Sequence, residues 1–288
     1  MDSNVTTSQK LSALPQLEEL YLDLLKRALT RSDFGDSPSV VMVAARKGRS
    51  LFSAAYRRLL VARGFELVRT TGNRRYEGRD WPLDAETMVG LARLDNLQSC
   101  IEQVLADDVP GDLMETGVWR GGSAIFMRGA LHAYGDRHRR VWAADSFAGL
   151  PRPDEEQYPA DADDGHWKAA YLAVGLDEVK ANFARYGLLD ERVQFVVGWF
   201  RDTLPTCPVE QLSVLRLDGD MYESTAVALR SLYPKLSVGG YAIVDDYGAV
   251  PACRQAVDDF RAEMDVREPL ERIDWSGVFW RRETSPTP

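Results

Sequence analysis

The chain has 288 residues, 45% of them hydrophobic and 27% charged, a balance that permits one sizeable buried core and excludes a wholly disordered polymer. Its formal net charge of −9 repels a phosphate backbone, and no stripe of lysine and arginine interleaved with aromatics offsets that locally, so nucleic acid is excluded as an expected partner. Cys100, Cys207 and Cys253 are far apart and form no CxxC pair, which predicts buried free thiols rather than a disulfide framework or a zinc site.

The polar start MDSNVTTSQK lacks the apolar core of a signal peptide. No later stretch approaches the roughly 20 apolar residues that span a bilayer, so a cytoplasmic protein with no membrane partner is expected. From Leu17 to Leu29 apolar residues recur at helical spacing, giving an amphipathic helix that must bury one face against the core or a second subunit. Residues Asp33 to Ser39 read as a loop, Val40 to Ala45 as a short apolar run and Leu51 to Val61 as a second helix; residues 1–83 thus read as an appendage to a domain over 84–288. Asp84 is placed to cap a helix through Met88, Leu91, Leu94 and Leu97 to about Ala106. Strands then follow near Leu113–Val118, Val141–Ala144, Val193–Val197, Val214–Leu217 and Tyr241–Val244. Helices alternate with them near Gly122–His132, Asp177–Tyr186, Thr225–Leu232 and Ala252–Glu263, which predicts an α/β fold with a doubly wound, mostly parallel sheet. Near the end, Leu270–Trp275 and Val278–Arg282 flank Ser276-Gly277, a hairpin signal at one sheet edge, and ETSPTP should fray.

Chemistry concentrates where strands end. The first strand runs through Glu115-Thr116-Gly117-Val118-Trp119-Arg120-Gly121-Gly122-Ser123 into a helix, a glycine-rich turn that brings bare backbone and a helix N-terminus to a ligand carboxylate. It does not match GxGxxG, and alone it is no more than a tight connection. Glu115 beside it suits a ligand ammonium group, and together these point to an amino acid. Asp145, with Ser146 and Phe147 after the second strand, stands where such folds grip ribose hydroxyls. Phe147, Trp199 and Phe200 offer faces for an adenine ring, although core packing is the commoner use of any single aromatic. The strongest constellation is acidic: Asp218-Gly219-Asp220 ends one strand and Asp245-Asp246 the next. Strand tips on one sheet edge converge, and clustered carboxylates without a basic neighbour repel one another unless a cation neutralises them. Oxygen-only ligands favour a hard ion such as Mg²⁺, against the plainer reading of solvated helix caps. The long segment Pro151 to Tyr171, with Asp161, Asp163, Asp164, His166 and Trp167, reads as a lid or a disordered loop. In it Trp167 can close over an acceptor and His166 can carry a proton, although a solvent-facing histidine is the more ordinary reading; His132 and His138 look solvent-facing.

Five motifs in order give these residues a family likeness: TMVGLARLDNLQSC (87–100), ETGVWRGGS (115–123), ADSFAGLP (144–151), LRLDGDMYEST (215–225) and VGGYAIVDDYG (238–248). Over most of its length the chain resembles the macrocin O-methyltransferase family of antibiotic biosynthesis. The resemblance implies a class I methyltransferase, Rossmann-like sheet of seven strands with the last antiparallel, S-adenosylmethionine and Mg²⁺ as cofactors, and a glycosylated natural product as substrate. Carried over by position, it implies that Thr87 and Met88 touch the methionine part, that Glu115, Gly117 and Ser123 hold its amino-acid end, and that Asp145 holds the ribose. It implies Asp218, Asp245 and Asp246 as metal ligands, with Asp218 also the candidate general base. In similar enzymes the metal takes two adjacent sugar hydroxyls and lowers the pKa of the one to be methylated. The resemblance implies a homo-oligomer built through N-terminal elements, in agreement with the apolar helix from Leu17. Asp154 to Trp167 and the appendage match no transferable motif and are expected to choose the acceptor. Two other readings stay open: a catechol-type enzyme methylating a phenol on the same metal, and a non-catalytic nucleotide-binding module.

Overall fold

The computed structural model describes residues 16–32, 39–41 and 74–283. The expected helix Leu51–Val61 and the end of the run Val40–Ala45 lie outside the described residues. Within them a seven-stranded sheet forms from β3 (Asp112–Thr116), β4 (Val141–Asp145), β5 (Val193–Val197), β6 (Leu212–Leu217), β7 (Leu236–Val244), β8 (Glu271–Arg272) and β9 (Val278–Arg281). Its order is β5-β4-β3-β6-β7-β9-β8; the first five strands are parallel, and β9 enters antiparallel beside β7 and pairs with β8. A separate two-stranded antiparallel pair joins β1 (Ser39–Val41) to β2 (Asp80–Pro82).

Alternation along the strands divides the core between two faces. Leu113, Val141, Ala143, Val193, Val214 and Ile243 pack beneath α1 (Leu17–Thr30), α2 (Leu91–Ala106), α3 (Gly122–Ala133) and α4 (Leu176–Arg185). Met114, Trp142, Ala144, Leu215, Leu217, Ala242, Val244 and Trp280 pack beneath α6 (Tyr222–Leu232) and α7 (Pro251–Glu263); a short helix α5 (Phe200–Thr203) follows β5. Both faces being covered is why these strands read as near-continuous apolar runs. In α1, Leu22, Leu25 and Leu29 are buried, whereas Leu17, Leu20 and Leu24 face outward. All three cysteines are free and buried. Among the described residues no helix is long and apolar enough to cross a membrane.

Two of the boundaries that depart from the sequence reading have separate reasons, tertiary bonds in one and a glycine turn in the other. The helix expected from Asp84 starts at Leu91, capped at Gly90. Residues 83–90 are committed elsewhere: the Glu86 amide donates to the Leu29 carbonyl (3.1 Å) and the Glu86 carbonyl accepts from Gly122 N–H (2.9 Å). The Glu86 carboxylate, 2% exposed, accepts from Arg31, Arg185 and the Tyr186 hydroxyl, joining α1, α4 and this segment. By contrast, β3 ends at Thr116 rather than Val118 because Gly117 bends away at φ +86°.

Candidate active site

The tips of β3, β4, β6 and β7 meet in two adjoining cavities. The smaller is lined by Asp145, Ser146, Trp199, Phe200 and Glu223; the larger by Thr87, Glu115, Ser123, Asp245, Asp246, His166, Trp81 and Trp275. Met88, Gly117, Trp119, Leu172, Asp218 and Asp220 line both and form the shared wall.

Backbone geometry builds that wall. Gly117 is indispensable, since a Cβ there would lie 1.5 Å from the Asp218 carbonyl oxygen, at a φ that side chains avoid. Gly122 lets the Glu86-Thr87 backbone pack onto the start of α3, where a Cβ would fall 2.6 Å from the Glu86 carbonyl oxygen. Directly beyond three strand tips, the non-glycine residues Trp119 (φ 46°), Phe147 (φ 54°) and Asp220 (φ 57°) adopt left-handed backbone. Such conformations cost roughly 1–3 kcal/mol each and gather where surrounding structure over-determines them. Asp145 supplies part of that restraint: its carboxylate accepts from the amides of Val118 (2.7 Å), Trp119 (3.3 Å) and Phe147 (2.8 Å). Burial raises Asp145 above its ordinary value, and those amides oppose the rise.

The acids converge as the strand pattern requires. Asp218, Asp245 and Asp246 each place a carboxylate oxygen within 4.8 Å of the others. The expectation that they lack a basic neighbour is corrected by Arg216 and Arg93. Arg216, 2% exposed on β6, is the cross-strand partner of Glu115 on β3 and bonds it at 2.5 Å. Its other nitrogen meets Asp245 closely and Asp218 at 3.0 Å. Arg93, from α2, holds the second oxygen of Asp245 and reaches Asp274 at 2.9 Å. A signal for Arg216 was present: it precedes Asp218 by two residues on a strand, and so shares its face. Arg93 carried none, because only the packing of α2 brings it to the strand tips.

Two guanidinium groups do not balance this many carboxylates, and the shortfall is localised. Burial would raise Asp245, but Arg216 and Arg93 outweigh it and hold its carboxyl below the ordinary range. Asp218 and Asp246 rise well above theirs: burial is the main cause for both, with Asp245 adding at Asp218 and Asp220 adding at Asp246. Burial pushes Glu115 up to about 7 against the pull of Arg216, and its Oε2 is buried without a hydrogen-bond partner. The Asp218 and Asp246 oxygens therefore gain most from a cation, and an all-oxygen donor set suits a hard divalent ion; the residues fit one. The orphaned Glu115 oxygen fits an ammonium group.

Other expected site residues are placed differently. Phe147 turns its ring to Phe195 (centroids 6.2 Å apart) and lines neither cavity, whereas Trp199 and Phe200 line the smaller one. Trp167, 38% exposed, also lines neither. His166 lines the larger cavity, with Nδ1 2.7 Å from Asp164. Burial would lower His166, but Asp220 and Asp164 raise it. His132 and His138 are exposed. The aromatic residues Trp81 and Trp275, not anticipated, come from β2 and from the β8–β9 turn. The Trp275 indole N–H donates to the Glu77 carbonyl at 2.7 Å and so ties the two together.

This strand order, with the penultimate sheet position antiparallel and the ligand cavity at the carboxyl ends of the strands, is that of a class I methyltransferase. Residues 18–282 match the family model described as macrocin-O-methyltransferase (TylF), and the chain belongs to that family of O-methyltransferases, whose methyl donor is S-adenosylmethionine. It is 51% identical over 264 residues, 91% of this chain and 92% of the relative, to 8-demethyl-8-(2,3-dimethoxy-alpha-L-rhamnosyl)-tetracenomycin-C 4'-O-methyltransferase of Streptomyces olivaceus. It is 48% identical over 264 residues, 91% of this chain and 93% of the relative, to demethyldecarbamoylnovobiocin O-methyltransferase of Streptomyces niveus. The solved structure of the O-methyltransferase NovP is similar at a TM-score of 0.78 and 46% identity, covering 93% of this chain and 100% of that one.

Gly117→Ala tests the shared wall. Its Cβ would force β3 and β6 apart, so S-adenosylhomocysteine is expected to raise the melting temperature of the native protein and to give the variant no thermal shift. A shift equal to the parent's would show that the close approach is dispensable.

Proposed function

We propose that this enzyme methylates a sugar hydroxyl of a neutral glycosylated natural product, with a divalent cation, best matched by Mg²⁺, held by Asp218, Asp245 and Asp246. The observation carrying this reading is that Asp218 lines both cavities, where a methyl donor in one and an acceptor hydroxyl in the other share one carboxylate. In the smaller cavity Asp145 and Ser146 take the ribose and Trp199 faces the adenine, with Phe200 in place of Phe147. Met88 and Gly117 of the shared wall, with Thr87 and Ser123 of the adjoining larger cavity, surround the methionine part, and the free oxygen of Glu115 receives its ammonium. When bound, the cation supplies Lewis acidity that makes an acceptor hydroxyl easier to ionise. Asp218, on the wall between the two cavities, accepts the hydroxyl proton, while Met88, Trp119 and Leu172 exclude water.

The lining supports a neutral acceptor. The larger cavity carries Glu86, Asp163, Asp164, Asp220 and the metal-ligand acids, while its two cationic side chains, Arg93 and His166, are already engaged by carboxylates. A phosphorylated sugar would be repelled. Trp81 and Trp275 offer flat apolar faces for a sugar ring or aglycone, and the appendage, which supplies Trp81, contributes to acceptor choice. The outward residues Leu17, Leu20 and Leu24 of α1 support self-association through the same appendage.

The relatives' names supply the probe: the partly methylated rhamnosyl tetracenomycin of the first. Incubated with it, S-adenosylmethionine and Mg²⁺, the enzyme is expected to give one added methyl ether on the sugar, seen by mass spectrometry and NMR; a methylated phenol with the sugar untouched would overturn the assignment. Asp246→Asn is expected to weaken calorimetrically measured Mn²⁺ binding about ten-fold or more while leaving S-adenosylhomocysteine binding within about three-fold, and unaltered Mn²⁺ affinity would refute the ligand set.

Glu115 adds a pH dependence. A folded-state pKa raised from 4.5 to about 7 means that the donor-free protein gains stability from this group as pH falls through about 7, and loses it as pH rises. An ammonium ligand needs the carboxylate, so the S-adenosylhomocysteine dissociation constant is expected to rise about ten-fold between about pH 8 and about pH 6. Glu115→Gln should bind weakly throughout and flatten that slope; a slope of the same steepness in the variant would assign the titration to another group.

A further inference from the structure

The segment between β4 and α4 does not hang free over the cavities. Three short 3₁₀ turns, Pro159–Asp161, His166–Lys168 and Ala170–Leu172, run through it. The first packs against α6 and α7 and brings Tyr158 within 6.0 Å of the Tyr222 ring, centroid to centroid. Asp161, 1% exposed, is the acid at the centre of this contact.

Its two carboxylate oxygens accept from the first backbone amides of α6, Tyr222 N–H at 2.6 Å and Glu223 N–H at 3.0 Å. The residue preceding α6, Met221, provides no side-chain cap. A helix start that ordinarily depends on a neighbouring Ser, Asp or Asn is thus capped from 61 residues earlier in the chain. The positive end of the α6 dipole favours the carboxylate further. This bond joins two functional walls. Upstream of α6 lies the Asp218-Gly219-Asp220 turn, with Asp220 in left-handed backbone and its amide on Asp246 at 3.1 Å. On the segment side, the Asp161 carbonyl accepts from Asp164 N–H (2.9 Å), and Asp164 in turn receives the His166 amide at 2.8 Å and faces its ring nitrogen. Beyond it, Tyr171 offers its carbonyl to the Trp119 indole at 2.9 Å, so the segment is closed at a second point over the strand tips.

We propose that Asp161 is a positioning residue for the methyl transfer. Without touching donor or acceptor, it pins the 151–175 segment to the start of α6 and thereby fixes the Asp164–His166 pair over the cavity that receives the acceptor, in register with the Asp218 turn. The identity of that cavity rests on the function proposed above; the pin itself rests only on the bonds described.

The test uses the full chain, native and as Asp161→Ala and Asp161→Asn, saturated with S-adenosylhomocysteine for limited proteolysis and with S-adenosylmethionine and Mg²⁺ for kinetics on the rhamnosylated probe. Asp161→Ala is expected to speed cleavage within 151–175 about ten-fold and to raise the acceptor KM about ten-fold, the scale of one lost helix cap, with S-adenosylhomocysteine affinity within about three-fold. Asn retains one accepting oxygen and turns an amide toward the second N–H, so it should fall between Ala and the native residue on both measures. It carries the test should Ala fail to fold. Unchanged cleavage and unchanged acceptor KM, or a loss of melting temperature alone, would overturn the proposal. If the native enzyme left the rhamnoside unmethylated, the functional reading would fail, while the cleavage arm would still decide whether Asp161 pins the segment.

Discussion

A buried guanidinium organises this site. Arg216 stands at the tip of the central strand β6, where the sheet leaves no water to solvate it, and spreads its donors over Glu115, Asp218 and Asp245 from three adjacent strand ends. An isolated charge at such a depth would be prohibitive, and so would the carboxylates without it. Pairing them makes the arrangement interdependent: removing any one partner leaves another buried charge exposed to low dielectric. The fold therefore conveys a geometric relation between the group proposed to meet the donor's ammonium and those proposed to meet a cation, through one side chain rather than through the cavity.

What the guanidinium leaves undone is equally informative. It satisfies Asp245 fully with the help of Arg93, shares weakly with Asp218 and has no bond to Asp246. Negative charge is thus graded across less than 5 Å of cluster, from neutralised at Asp245 to uncompensated at Asp246. A cation held there would find Asp218 and Asp246 the carboxylates that the arginines leave least compensated. The strained backbone at Trp119 and Asp220 belongs to the same economy of position, because a relaxed turn at either place would carry its neighbours off the shared wall.

The sheet was legible because its signal is local. Period-two burial in strands covered on both faces and helical spacing between them place β3 to β7 within a few residues of where the structure has them, and the acids at β6 and β7 converge by topology alone. The hairpin signal at Ser276-Gly277 and the acid cluster were local too; resemblance supplied S-adenosylmethionine and the seven-strand count, which periodicity could not. Failures came wherever a long-range contact overrides local preference: Asp84 is a sound cap in isolation, but residues 83–90 give their backbone groups to Leu29 and Gly122. Phe147, beside Asp145 in sequence, is thrown to the opposite side by its own left-handed backbone. Arg93, Trp275 and Asp161 arrive from distant elements, and no spacing announces them.

That division of labour bears on how acceptor choice is built. Groups that hold charge sit on strands and on the first turn of α2, where the core fixes them from both faces. The groups proposed to meet an acceptor's bulk come from three separate places: β2, the β8–β9 turn and the 151–175 segment, the turn tied to the framework by Asp274 on Arg93 and Ser276 on the Asp245 carbonyl, the segment by Tyr171 on Trp119. Substitutions at Trp81, at Trp275 or within 151–175 can reshape the larger cavity without replacing a partner of Arg216. Two bonds from Asp161 to α6 keep this freedom from reaching the Asp218 turn, since the segment varies on one side of the pin and the Asp218 carboxylate stays on the other. A scaffold so arranged can keep one chemistry constant while the molecule it modifies changes.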